Sequence, residues 1–456
     1  MKFDHQIATA FKKEFTDWDI WQTRIVVVTI AAIAGLVVVG FTWLSEKAIG
    51  IFFHINSSYW WAPLLWTPIC TAIIVWLTRR YAPGAAGSGI PQVMAALDPV
   101  VDSEQRSIFV SLKLSISKIL LTSSGLLAGL SLGREGPSVQ IAAGIMLSAR
   151  RWVPARASVN AHGLLVAGGA AGIAAAFNTP LAGVMFAIEE LSRLPEQRSS
   201  GLLVACIVLG GLIAVSLTGN ATYFGVIHTA EAGLALLLPG LLVALTSGLA
   251  GGLFSRLVIA SLSGLGKDRL SSLRRTHPIV FAAVCGLIVA IIGIVTGGAT
   301  FGSGYTHTRH MLEGSENTLT VYVVFKFIAT WITTWSGVPA GIFAPSLAIG
   351  AALGNDVAQL LHSPLTAALI ALGMAGFLAA VTQAPLTSFI IVMEMVDGHA
   401  MVLSLMACAL IASGISRILS RPLYPSLAQV QLKRLPILPV GESNVKTNSN
   451  DSVGIG

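Results

Sequence analysis

The chain has 456 residues, 54% of them hydrophobic and only 11% charged, where an ordinary soluble domain carries about 25% charge. Its mean hydropathy is +0.78, which excludes a soluble globular protein and leaves an integral membrane protein. The formal charge of +7 could suggest nucleic acid, but the basic residues, such as Arg79, Arg80, Arg150 and Arg151, are scattered at the ends of apolar stretches. Membrane topology explains them better, so no nucleic-acid partner is expected.

In chain order, residues 1–24 mix acidic and basic side chains. They are expected to be cytoplasmic, as an amphipathic surface helix rather than a cleaved signal peptide. About eleven apolar blocks follow, roughly 25–44, 60–78, 106–132, 162–192, 201–218, 232–262, 278–299, 319–334, 337–354, 365–393 and 401–415. A straight span needs about 20 residues, so several blocks are too long or too short for one helix. Glycine (46) and proline (19) fall inside them, as at Pro180 and Pro385. Broken backbone of that kind survives in a membrane only where protein or water covers it. This is the composition of a transporter or channel. Basic residues before the first block and after the second place the N-terminus in the cytoplasm. A polar tail, 431–456, is expected to be cytoplasmic, with its last stretch from Gly441 disordered.

Little in the chain suggests an enzyme. The four cysteines stand singly and read as small core residues. His307 and His310 are three apart without a third ligand nearby and read as solvated. No phosphate-binding loop, serine–histidine dyad or metal cluster is evident, so no cofactor and no metal are expected.

Three landmarks recur in the same order in both halves, offset by roughly 205–215 residues. "GSG" stands at 87–89 and again at 302–304. "GREGPSVQIAAGI" from Gly133 aligns with "GIFAPSLAIGAAL" from Gly341. Pro180 precedes Glu189 by nine residues, as Pro385 precedes Glu394. The chain therefore reads as two repeats, roughly 25–218 and 232–415, with the substrate between them as in many secondary transporters. Sequence alone leaves open whether the repeats are inverted.

In GSGIP (87–91), GREGP (133–137) and GIFAP (341–345), glycine loosens the backbone and proline suits a first helical turn. Each reads as a helix N-terminus, whose unpaired N–H groups and partial positive charge hydrocarbon cannot satisfy but an anion can. These motifs, in this order, resemble the CLC family of chloride channels and chloride/proton antiporters over roughly residues 25–430. The resemblance implies an all-α integral membrane fold, an inverted repeat of about 18 membrane helices, many tilted or broken. It implies a homodimer in a cell inner or plasma membrane with both termini cytoplasmic. No nucleotide-binding CBS domains, which some relatives carry, are expected. It further implies that the hydroxyls of Ser88 and Tyr424 hold chloride, that the amides of Ile342 and Phe343 complete the site beside Gly136, and that Glu135 is the gate. Serine at position 88 goes with chloride in that family.

Glu135, Glu189, Glu190, Asp356 and Glu394 lie in or at the ends of apolar blocks, where a charge costs about 2.5–3.5 kcal/mol. A satisfied structural carboxylate is the reading for Asp356 and Glu394. Glu135 sits at a helix N-terminus, where its carboxylate can occupy the position of an anion and yield it when protonated. Arg134 either adds an outward positive field or snorkels. Glu190 matches the family's internal proton-transfer glutamate, while Glu189, the repeat partner of Glu394, is expected to have a structural or supporting role. The expected function is chloride/proton antiport. The alternatives are a passive gated chloride channel of the same fold and, less favoured, a cation-coupled solute symporter.

Overall fold

The structure is a computed structural model that describes residues 18–154, 159–192, 200–219, 223–225, 234–264, 269–314, 321–433 and 435. The expected N-terminal surface helix and the polar tail lie almost wholly outside these residues. The described residues are nearly all helical, with one isolated antiparallel bridge between Gly133 and Gly341.

Among them, six helices are long and apolar enough to cross a membrane, including Leu237–Leu262 and Pro278–Val295. The first helix, Trp18–Ser58, has 41 residues. At about 1.5 Å per residue it is roughly twice as long as a bilayer core is thick. Its apolar block therefore begins inside a longer helix rather than at its start.

Two of the overlong blocks break where proline demands it. Block 162–192 divides into Ala161–Phe177 and Pro180–Phe186, and block 365–393 into Thr366–Thr382 and Pro385–Met395. Both breaks use the same device: a left-handed residue ends the first helix, Asn178 (φ 61°) and Gln383 (φ 60°), two residues before the proline. A side chain that tolerates positive φ stops the helix, and proline then starts the next.

The halves are locked together by contacts that come in reciprocal pairs. Gly133 N–H donates to Gly341 O (2.8 Å) and Gly341 N–H to Gly133 O (3.1 Å). Within each half, at matching positions, Lys118 and Lys326, both fully buried, tie down that half's own GSG loop. Lys118 Nζ donates to Ala85 O (2.8 Å) and Gly87 O (2.6 Å); Lys326 Nζ donates to Thr300 O (2.9 Å) and Gly302 O (2.8 Å). Buried ammonium groups need such carbonyl partners. Close helix packing relies on glycine where backbones meet: a β-carbon on Gly172 would lie 2.5 Å from Ser138 O, and one on Gly350 2.2 Å from Gly373 O. Large apolar side chains such as Ile25, Trp43, Leu249 and Ile418 remain exposed around the perimeter, as a lipid-facing surface requires.

Candidate anion and proton site

The first GSG loop is shaped by Gly87 (φ 81°) and Gly89 (φ 110°), conformations that other L residues rarely adopt. Gln92 closes the loop onto the helix Ile90–Leu97: its Oε1 accepts from Gly89 N–H (2.9 Å) and its Nε2 donates to Ala86 O. Ala340 N–H donates to Gly87 O at 3.1 Å, which draws in the strand of chain preceding GIFAP. The result is a buried Ser88 whose hydroxyl has no hydrogen-bond partner among the described residues.

The helices Glu135–Ser148 and Phe343–Leu360 begin next to the Gly133–Gly341 bridge, so their N-termini converge. Pro137 and Pro345 sit in their first turns and remove only donors that would be unpaired in any case. Glu135 is fully buried. Its carboxylate lies over Gly133, where a β-carbon would be 2.4 Å from Oε2. The backbone N–H groups of Arg134, Glu135 and Ala344 face it, although neither oxygen reaches a closed hydrogen bond among the described residues. The carboxylate thus occupies the positive space that the two helix starts share.

Tyr424, brought in by the helix Leu423–Leu432, is fully buried. Its ring lies parallel to that of Phe343, centroids 6.0 Å apart. Its hydroxyl faces Ser88 and lies within electrostatic reach of both Glu135 and Glu190, without a hydrogen bond to any described residue. Two unpartnered hydroxyls and two helix N-termini around one point are the chemistry of a desolvated anion site.

Ser88, Glu135, Gly136, Ile342, Phe343 and Tyr424 therefore come together, and Glu190 lies on the Tyr424 side of the group. Arg134 does not point into it. Its guanidinium turns to Glu46 Oε1 (2.9 Å), Thr42 O (3.4 Å) and the Tyr223 hydroxyl (3.3 Å). Sequence reasoning missed Glu46 because it lies 88 residues from its partner. The only signal was a charge just past the end of the first apolar block. A cavity of about 940 Å³, lined by Glu46, Arg134, Tyr223, Tyr305, His307 and His310, leads to Glu135. The two histidines thus line this cavity.

The paired glutamates separate cleanly. Glu189 accepts from the N–H groups of Leu386 (3.1 Å) and Thr387 (2.7 Å), so both its oxygens are committed to the opposite half. Glu394 does the reverse, accepting from Leu181 (3.2 Å) and Ala182 (2.7 Å). The residue after Glu189, Glu190, is buried in a wide turn, Ala187–Leu191, closed by Ser192 N–H on Ala187 O at 2.7 Å. Such π-type turns re-aim side chains, often at functional sites. Asp356 differs from the satisfied carboxylate expected of it: its Oδ1 is buried without a partner among the described residues.

Comparison with known proteins agrees with this architecture. Residues 70–417 match the model of the voltage gated chloride channel family. The fold superposes on the crystal structure of a slow cyanobacterial Cl⁻/H⁺ antiporter with a TM-score of 0.78, at 25% identity, covering 91% of this chain and 98% of that one. It also matches a CLC-type fluoride/proton antiporter (TM-score 0.74, 21% identity, 90% and 99% covered). A third match is a eukaryotic CLC transporter (0.71, 22%, 90% and 74%). With three quarters of its length inside the family model and two halves meeting at convergent helix N-termini, this chain is a multi-pass membrane protein of the voltage-gated chloride channel (CLC) family.

Proposed function

We propose that the protein exchanges chloride for protons. The observation that carries this reading is the position of Glu135: a carboxylate held between the N-termini of Glu135–Ser148 and Phe343–Leu360, where an anion would be held. Side chain and chloride compete for one place. Protonation removes the charge that the helix starts attract, the neutral side chain leaves, and chloride binds the amides of Ile342 and Phe343 with the hydroxyls of Ser88 and Tyr424. Chloride that reaches the site from the opposite side then leaves through the cavity, while the gate takes up its proton from the cavity side.

Exchange needs a route for that proton to the other side. Glu190 supplies the acceptor, since Glu189 is committed to backbone N–H groups, while Glu190 is buried near Tyr424. Gly136 keeps the backbone close to Ser88, and Arg134, paired with Glu46, lends a tempered positive field at the mouth. The likeness to a chloride/proton antiporter at 25% identity supports the same reading. We place the protein as a homodimer in a cell inner or plasma membrane with cytoplasmic termini. Apolar side chains at Leu181, Ile188 and Leu386 stand exposed beside the reciprocal glutamates and offer the subunit contact.

The test is transport by Glu190→Gln in proteoliposomes. Chloride movement that persists while proton movement ceases supports the assignment. Proton movement that survives intact removes Glu190 from the pathway.

A further inference from the structure

Glu394 and Glu189 exchange caps between two half-helices that come from different repeats. Glu394 holds the start of Pro180–Phe186 through the N–H groups of Leu181 and Ala182. That half-helix has only seven residues and runs directly into the wide turn that presents Glu190. At its far end Glu189 is fixed to the start of Pro385–Met395. The segment bearing Glu190 is thus pinned at both ends by carboxylate-to-backbone bonds.

We propose that Glu394 is a positioning residue for the proton step: by capping Pro180–Phe186 it fixes the rotation of the segment and so the aim of Glu190 at the Tyr424 side of the site. This rests on the antiport reading above and extends it to a residue more than 200 positions away in sequence. Three features argue for a role beyond filling space. The two caps are mutual, so neither half-helix can turn about its axis without breaking bonds to the other. Each cap uses both carboxylate oxygens, which sets orientation as well as distance. The wide turn leaves Glu190 without the regular helical ladder that would otherwise hold its direction. A short segment of that kind takes its geometry from its ends.

Glu394 touches neither ion, so its loss should leave the anion site intact and damage coupling. Proton transfer depends steeply on placement, since a shift of about 1 Å in a reacting group can cost about a hundredfold in rate. The experiment measures protons moved per chloride in proteoliposomes for wild type, Glu394→Gln and Glu394→Asp, together with chloride affinity by calorimetry. Because the ratio is taken per ion moved, it does not depend on how much of each variant folds. The expected result is a ratio lowered by about tenfold in Glu394→Gln, chloride affinity unchanged, and partial recovery in Glu394→Asp, which keeps the charge on a shorter arm. A full wild-type ratio in Glu394→Gln would overturn the proposal. A wild type that moves no protons at all would instead overturn the antiport reading on which it stands.

Discussion

Gly136 lies so close to Ser88 that a β-carbon on it would stand 2.4 Å from Ser88 Oγ and 2.9 Å from Ser88 O. The glycine after Glu135 therefore shapes the proposed anion site, because it lets the backbone approach the hydroxyl. Overpacking of this kind costs about 1–3 kcal/mol. Gly136→Ala should weaken chloride binding about tenfold by calorimetry, if the clash is relieved by moving Ser88, while thermal unfolding shifts only modestly.

Lys118 and Lys326 are each buried and each donate to two loop carbonyls. Replacement by methionine keeps the bulk and strands two acceptors, at about 1–3 kcal/mol for each group left unpaired. Both variants should unfold at lower temperature in detergent. Lys118→Met should also weaken chloride binding, because its partner Gly87 adjoins Ser88. Lys326→Met, whose loop faces the cavity, should not.

Arg134 is tied to Glu46, whose side chain is 61% exposed against 12% for the arginine. Glu46→Gln frees the guanidinium and strengthens the positive potential at the mouth of the cavity, which raises the rate at which anions arrive. Chloride uptake from the cavity side should rise about twofold at low ionic strength, and the gain should fade as salt screens it. An increase that is independent of salt would contradict this electrostatic account.

The proposed competition between the Glu135 carboxylate and chloride fixes the sign of a pH effect. Lower pH favours the neutral side chain, which leaves the positive space, so chloride turnover should rise as pH falls. Glu135→Gln is permanently neutral. It should carry chloride at a rate that hardly varies with pH and move no protons, as read by paired chloride and pH electrodes.

Much of this was legible in the chain because the physical demand is local. Glycine before and proline within a first helical turn mark a helix start, so the convergent N-termini at Gly133 and Gly341 could be read from composition and spacing. The prolines at 180 and 385 likewise mark the breaks, and the left-handed Asn178 and Gln383 show how each is made. Which partner a charged residue finds is not local. The buried lysines stand as far apart as Gly133 and Gly341, a repeat signal present in the sequence but meaningless until both are seen on the loop carbonyls. The same holds for Arg134 with Glu46. Spacing also paired Glu189 with Glu394 but could not say that each caps the other's half-helix, nor that a wide turn separates Glu189 from Glu190 in direction.

The most direct test of antiport uses wild-type protein in liposomes with equal pH on both sides and a chloride gradient as the sole driving force. Exchange predicts that protons move against the gradient they themselves build, in the direction opposite to chloride, until the two gradients balance. Chloride equilibrating with no change in internal pH would contradict exchange and make the protein a passive channel.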